Sequence, residues 1–193
     1  MIYSTAKAEA PSFTYLELEF VASGDIEVND GSLAVDIGMD GYALNASAQL
    51  GIFLFQASRF ELESDEILGA SINDSISTLA LGVVFKFPQT AVYGLIRGRR
   101  DELELSGRGL NEELDGDSVG LEAGVRINLS DRFEINANIG SPALDEGTSF
   151  GVGAQFHVTK NLGLTLDFSS IELEEEDIDA SFDTTSIGLR YNF

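Results

Sequence analysis

His157 is the only histidine in the chain, and there is no cysteine. Proton transfer near neutral pH would therefore rest on this one imidazole or on a carboxyl group of shifted proton affinity. A triad or dyad needs a partner held beside the ring, and no spacing in the sequence places a serine or an aspartate there. The remaining chemistry-bearing residues are charges. Glu17, Glu19, Lys86, Glu122, Arg126, Glu134, Asp167 and Arg190 stand within segments of alternating polarity, while Arg97, Arg99 and Arg100 form the one basic cluster. Guanidinium forks suit phosphate oxygens. The densest acidic tract is Glu172, Glu174, Glu175, Glu176, Asp177 and Asp179, whose hard oxygens suit divalent cations such as calcium or magnesium. Asp25, Glu27, Asn29 and Asp30-Gly31 follow the EF-hand spacing only in part, so the default for these acidic stretches is a solvated, self-repelling surface.

The elements that position these groups are constrained by composition. Across 193 residues, 11 Lys and Arg face 33 Asp and Glu, a formal net charge of -22. That balance excludes ordinary nucleic-acid binding, which requires a basic footprint on the phosphates. Without cysteine there is neither a disulfide framework nor a thiolate metal site, and no cofactor is expected. No run of about 18 apolar residues is present, so a transmembrane helix is ruled out. Mean hydropathy near zero, +0.05, does not separate a soluble chain from a membrane barrel, whose alternation hides the lipid-facing row in the average.

Alternation with period two is the dominant signal. Tyr42, Leu44, Ala46, Ala48 and Leu50 oppose Ala43, Asn45, Ser47 and Gln49. Val119, Leu121, Ala123, Val125, Ile127 and Leu129 oppose Gly120, Glu122, Gly124, Arg126 and Asn128. Phe133 to Ile139, Phe150 to Val158 and Leu162 to Phe168 repeat the pattern, with Glu134, His157 and Asp167 on their polar rows. Leu79 to Phe87 and Leu16 to Phe20 add two more strands, carrying Lys86, Glu17 and Glu19 on the inner side, and Phe53 and Phe55 begin another. Ala91 to Arg100 separates cleanly in neither register, which suggests a bulge there. Short turns at Leu50-Gly51, Pro88-Gln89, Ser130-Asp131 and Thr159-Lys160-Asn161 alternate with long polar connections over Ser23 to Asp40, Ser64 to Asn73, Asp101 to Asp117, Ser141 to Ser149 and Ile171 to Asp183. The reading is an all-β, closed, up-and-down antiparallel transmembrane barrel of ten strands, or eight if the first or fifth segment is misread, with both termini on the short-turn side.

Lipid rather than water is the solvent this pattern calls for. The polar rows carry Gly, Ser, Asn, Gln and Thr with isolated charges, unlike a water-facing surface dense in Lys and Glu. The apolar rows carry no charge at their centres, where one Arg or Lys costs roughly 2–4 kcal/mol. Tyr42, Phe87, Phe133, Tyr191 and Phe193 fall near strand ends, where aromatic girdles belong. At the end of the chain, Ile187, Leu189, Tyr191 and Phe193 alternate with Ser186, Gly188, Arg190 and Asn192. That ending resembles the terminal strand of outer-membrane barrel proteins, whose last aromatic is read by the barrel-insertion machinery. From about Pro11 to Phe193 the chain resembles the broad OmpA-like and porin-like superfamily, and no motif singles out a member. Residues 11–193 are thus expected to form the barrel. Residues 1–10 are either the end of a signal peptide, with Ala6-Lys7-Ala8 as its small-x-small site, or a disordered N-terminal segment.

The resemblance implies a bacterial outer-membrane protein with termini in the periplasm, in contact with outer-membrane lipid and lipopolysaccharide. Barrel enzymes such as the ten-stranded omptin proteases and the lipid A-modifying barrels hold their sites toward the outer side. His157 precedes the short turn at Thr159, so it is expected to fill the lumen at the opposite end. The eight inward charges are expected either to close the lumen as an ion-pair network, favoured by the narrowness of a ten-stranded barrel, or to form a charge-selecting constriction. Arg97, Arg99 and Arg100 either touch lipopolysaccharide phosphates or pair with Asp101, Glu102 and Glu104. The functional expectation is a non-enzymatic scaffold presenting acidic extracellular loops for envelope structure or surface interaction, or alternatively a narrow channel for small cationic solutes.

Overall fold

The structure is a computed structural model and describes residues 9–29, 34–64, 70–107, 110–144, 147–175 and 178–193. Ala6-Lys7-Ala8 lie outside the described residues, as do Asp30-Gly31 and the side chains of Glu174 to Asp179. Ten strands follow one another: β1 (Tyr15–Asn29), β2 (Ala34–Leu50), β3 (Phe53–Ser64), β4 (Ala70–Lys86), β5 (Thr90–Gly107), β6 (Leu110–Ser130), β7 (Phe133–Ser141), β8 (Thr148–His157), β9 (Leu162–Glu175) and β10 (Ile178–Asn192). Each pairs antiparallel with its neighbours in sequence, and β10 closes on β1. Closure leaves no open sheet edge around the apolar band, as a hydrocarbon environment demands. The expected ten strands are all present, and the tight turns fall within a residue of their expected places; one uses Gly51 at φ +64°, a conformation that disfavours a Cβ.

Around the barrel the apolar rows face outward. Leu79, Leu81 and Phe85 on β4, Phe87 just past its end, Leu121 and Leu129 on β6, and Leu164 and Leu166 on β9 are exposed to the surroundings. The row from Val119 to Leu129 covers about 33 Å of strand at roughly 3.3 Å per residue, or about 25 Å of height at a tilt near 40°, matching the apolar band of a transmembrane barrel. Phe53, Phe87, Phe133, Tyr191 and Phe193 ring the short-turn edge, with Tyr191 and Phe193 edge-to-face at 5.1 Å. Phe20, Tyr42, Phe150 and Phe168 lie toward the other edge, and Phe20 stands directly opposite Tyr42 across β1 and β2.

Two expectations are corrected. The ladder of β5 is continuous from Thr90 to Gly107 with both neighbours, so Ala91 to Arg100 holds no bulge. The segment reads ambiguously because apolar Ala91, Tyr93 and Leu95 point inward while Gly94 and Gly98 occupy the outer row. Irregularities lie instead after Val21 in β1 and between Asn128 and Ser130 in β6. Second, most of the long polar connections are strand. Ser23–Asn29, Ala34–Asp40, Asp101–Gly107, Leu110–Asp117, Ile171–Glu175 and Ile178–Asp183 continue their ladders beyond the apolar band. Outside lipid the outer row turns polar, at Asp40, Arg59, Ser77, Arg100 and Asp117, so the alternation that marks the band disappears while the backbone pairing persists. The extension is lopsided: β6 pairs with β7 only as far as Leu121, but with β5 up to Leu110, roughly another 35 Å of strand.

Candidate functional site

The interior is stratified along the barrel axis. At the short-turn end Phe13, Leu54, Ala80, Val84, Ala91 and Leu95 form a buried apolar cluster with Tyr93 against it. Phe13 comes from the segment before β1, which turns into the barrel and is held there by Ser47 Oγ donating to the Phe13 carbonyl at 2.8 Å. Beyond the polar middle layer, Val21, Met39 and Leu62 form a second buried cluster, joined by Ile37, Phe60, Ile72 and Phe182. Between the two clusters lies a cavity of about 220 Å³ lined mainly by polar and charged groups.

The inner rows bring most of the expected charges together in that middle layer. Arg190 donates from Nε and Nη2 to Glu17 Oε2, at 3.0 and 2.6 Å, and from Nη1 to Gln155 Oε1 at 3.1 Å. Arg126 donates to Glu134 Oε1 at 2.6 Å from Nε and 2.5 Å from Nη2. The two guanidiniums and two rings form a stack across the lumen: Arg126 lies 4.7 Å from the Phe13 ring and 5.6 Å from Tyr15, and Arg190 lies 4.2 Å from Tyr15. Such contacts are favoured because ring faces attract desolvated cations. Glu122 takes Arg97 as its partner at 2.5 Å. Glu19 accepts from Ser186 Oγ at 2.6 Å and from Asn45 Nδ2 at 2.5 Å, and Asp167 from Asn136 Nδ2 at 3.4 Å. Asn136 reaches Asp167 across β8 because Gly153 lies between them in register; a Cβ there would collide with both side chains. Lys86 stands apart from this network, exposed at the short-turn rim with Nζ 5.6 Å from the Phe13 ring.

Arg97, Arg99 and Arg100 do not form one surface. Strand alternation sends Arg97 and Arg99 inward, to Glu122 and to Asp101 at 2.7 Å, and Arg100 outward, to Glu102 at 3.1 Å. His157 faces the lumen at the short-turn end, with Nδ1 3.4 Å from Gln155 Nε2, and no carboxylate is bonded to it among the described residues. Of the other members of this layer, Tyr15 was visible in the alternation. Phe13 was not, because it precedes the first alternating row. Arg97 was hidden by the unresolved register of β5, and Gln155 by its being neutral among charges.

An inside-out barrel of this kind has solved counterparts. The chain superposes on the outer membrane protease OmpT of Escherichia coli with a TM-score of 0.62 at 10% identity, covering 100% of this chain and 99% of that one. The chain has the fold of outer-membrane β-barrels. Neisserial surface protein A matches at TM-score 0.52 and 12% identity over 93% of this chain and 96% of its own. The translocator domain of the autotransporter NalP of Neisseria meningitidis matches at 0.52 and 12% over 95% and 90%. No family model matches the sequence, and no curated protein matches it. At such identities the likeness is one of fold, and a protease, a surface protein and a translocator domain share it.

Proposed function

We propose that this chain is an integral protein of the bacterial outer membrane, with its termini in the periplasm, and acts there as a non-enzymatic, non-conducting scaffold that carries an acidic β-ribbon crown on the cell surface. The observation that carries the non-conducting part is the stack of Phe13, Arg126, Tyr15 and Arg190 across the lumen, backed by the apolar cluster around Leu54. Ions crossing a pore need a continuous wet path, and this layer replaces it with packed rings and ion pairs. The position of His157, at the opposite end from the crown and without a bonded acid among the described residues, supports the non-enzymatic reading. In this reading the crown contributes envelope structure or surface contact through outward Glu63, Glu102, Glu104, Asp115 and Asp117. Ile187, Leu189, Tyr191 and Phe193 serve as the signal for the insertion machinery.

Of Arg97, Arg99 and Arg100, only Arg100 is placed for lipopolysaccharide contact, together with Arg59. Both point outward and stand on either side of Ser77 in register, one step above the lipid-facing Leu79. Each is shared with an acid two residues along its own strand, Glu61 at 2.8 Å and Glu102 at 3.1 Å. A phosphate bridging the two would use the remaining guanidinium donors.

Planar-bilayer recording of the refolded protein tests the central reading. Silence is expected, and removing residues 9–14 with Phe13 is expected to introduce conducting steps. Steady, cation-selective steps from the intact chain would replace the scaffold with the narrow-channel reading. For the lipid contact, the double variant Arg59→Ala, Arg100→Ala should copurify with clearly less lipopolysaccharide, while Arg97→Ala should not.

A further inference from the structure

We infer that the lumen holds one divalent cation, calcium by preference, on Glu17, Glu19, Asp167 and Thr165. One oxygen from each of the three carboxylates lies within 4.8 Å of the others, so a single ion at roughly 2.3–2.6 Å from each, the calcium range, reaches all three.

Charge bookkeeping in the layer points the same way. Among the described lumen-facing acids, Glu122, Glu134 and Glu17 each hold an arginine. Glu19 and Asp167 have only amide and hydroxyl donors. Ionised, a buried Glu19 and a half-buried Asp167 without a countercharge would be costly, and one divalent ion is the counterpart of matching size and sign.

The second observation is a set of buried oxygens with nothing bonded to them. Thr165 is 3% exposed and its Oγ1 has no hydrogen-bond partner. Its hydroxyl approaches Glu19 over Gly188, which stands between them in register; a Cβ on Gly188 would collide with Thr165 Oγ1 and lie 2.9 Å from Glu19 Cγ. Glu17 Oε1, on a side chain 2% exposed, and Asp167 Oδ2 are likewise unpartnered. Buried polar atoms are normally satisfied, and an all-oxygen donor set with neither histidine nor cysteine selects a hard cation. The adjoining cavity leaves room for water to complete the coordination. No local motif announces the site, because its ligands come from β1 and β9, far apart in sequence.

The test is refolding of the full chain from urea into detergent after EDTA treatment. Calcium alone or magnesium alone is then titrated calorimetrically, with thermal melting followed in parallel. One site per chain is expected for calcium, at least about tenfold tighter than for magnesium, with a calcium-dependent rise in melting temperature. Asp167→Asn and Glu19→Gln should each weaken calcium at least about tenfold. Each should also raise the melting temperature of the EDTA-treated protein, since an uncompensated charge is removed. A merely structural role for these acids predicts the opposite shift and leaves calcium binding intact. The triple variant Glu174→Gln, Glu175→Gln, Glu176→Gln should retain the site. Absence of stoichiometric binding, or binding lost only in the triple variant, would overturn the proposal; neither result bears on whether the barrel conducts.

Discussion

Two regions of this barrel obey one rule with opposite sign. Within the apolar band, Leu81 and Leu121 face outward and Glu17, Arg126 and Arg190 face inward. In the extension above it, Val21, Met39 and Leu62 face inward, and Asp25, Asp40, Glu63 and Glu104 are on the outer side. β1 to β6, β9 and β10 run through both regions, so the backbone is the same and the solvent differs. Lipid tails solvate leucine as well as a protein core does, and the polar residues of the band must therefore find their partners inside. Where water replaces lipid, burial of leucine becomes favourable again. The level at which the inner row changes from Glu19 to Val21 on β1, and the outer row from Leu79 to Ser77 on β4, marks the lipid boundary more sharply than any aromatic residue does.

The most severe test of this contrast exchanges like for like. Leu62→Ala in the extension removes a side chain that is 3% exposed and packed in the upper cluster, at a cost of about 2–5 kcal/mol. Leu44→Ala, lipid-facing and exposed, leaves no cavity and should cost less than about 1 kcal/mol. Urea unfolding from vesicles of defined lipid measures both, and equal losses would mean that the extension has no core of its own. Somewhat smaller is the effect of a charge. Leu81→Arg, at a position 53% exposed within the band, should cost roughly 2–4 kcal/mol, whereas Ser75→Arg, on the same outer row beyond the band, should be near neutral. If Ser75→Arg proved as harmful as Leu81→Arg, the boundary has been drawn too low.

The same contrast explains what was legible in the sequence. Strand count, turn positions and the facing of β2, β6, β7, β8 and β9 could be read because hydrocarbon enforces a strict apolar outer row, and Glu17, Arg126, Glu134 and Arg190 were visible as the exceptions on the inner one. The extension looks like loop in the sequence, since segments such as Asp101 to Asp117 carry acids on the outer row and only scattered leucines on the inner, and the pairing that makes them strand is supplied by the neighbouring chain segment. In β5 the inner row is apolar at Ala91, Tyr93 and Leu95 and basic at Arg97 and Arg99, because it crosses from the lower cluster into the charged layer. No single-face rule survives that crossing. The pairing of Arg97 with Glu122, and the entry of Phe13 into the lumen, depend on which strands become neighbours and where the N-terminal segment turns, neither of which is written locally.

The smallest expected effect probes how the extension meets water. Asp74 is on the inner row of β4, between Leu62 and Leu103 in register. Burial first, and then the neighbouring Asp101 charge, push its carboxyl up to about 6, against an opposing pull from Arg99. A carboxyl raised in the folded state binds its proton more tightly there than in the unfolded chain. Its contribution is therefore fully present below about pH 4, the unfolded value, and is lost as pH rises through about 6. Because the group is only partly buried, the loss should be of order 1 kcal/mol. Asp74→Asn should flatten the fall in stability between pH 4.5 and pH 7, leaving only the slope due to general repulsion among the crown acids. Identical pH profiles for Asp74→Asn and the unaltered chain would mean that the inner face of the extension is as wet as its outer face, and the inversion between the two regions would then stop at the apolar cluster instead of running up the ribbon.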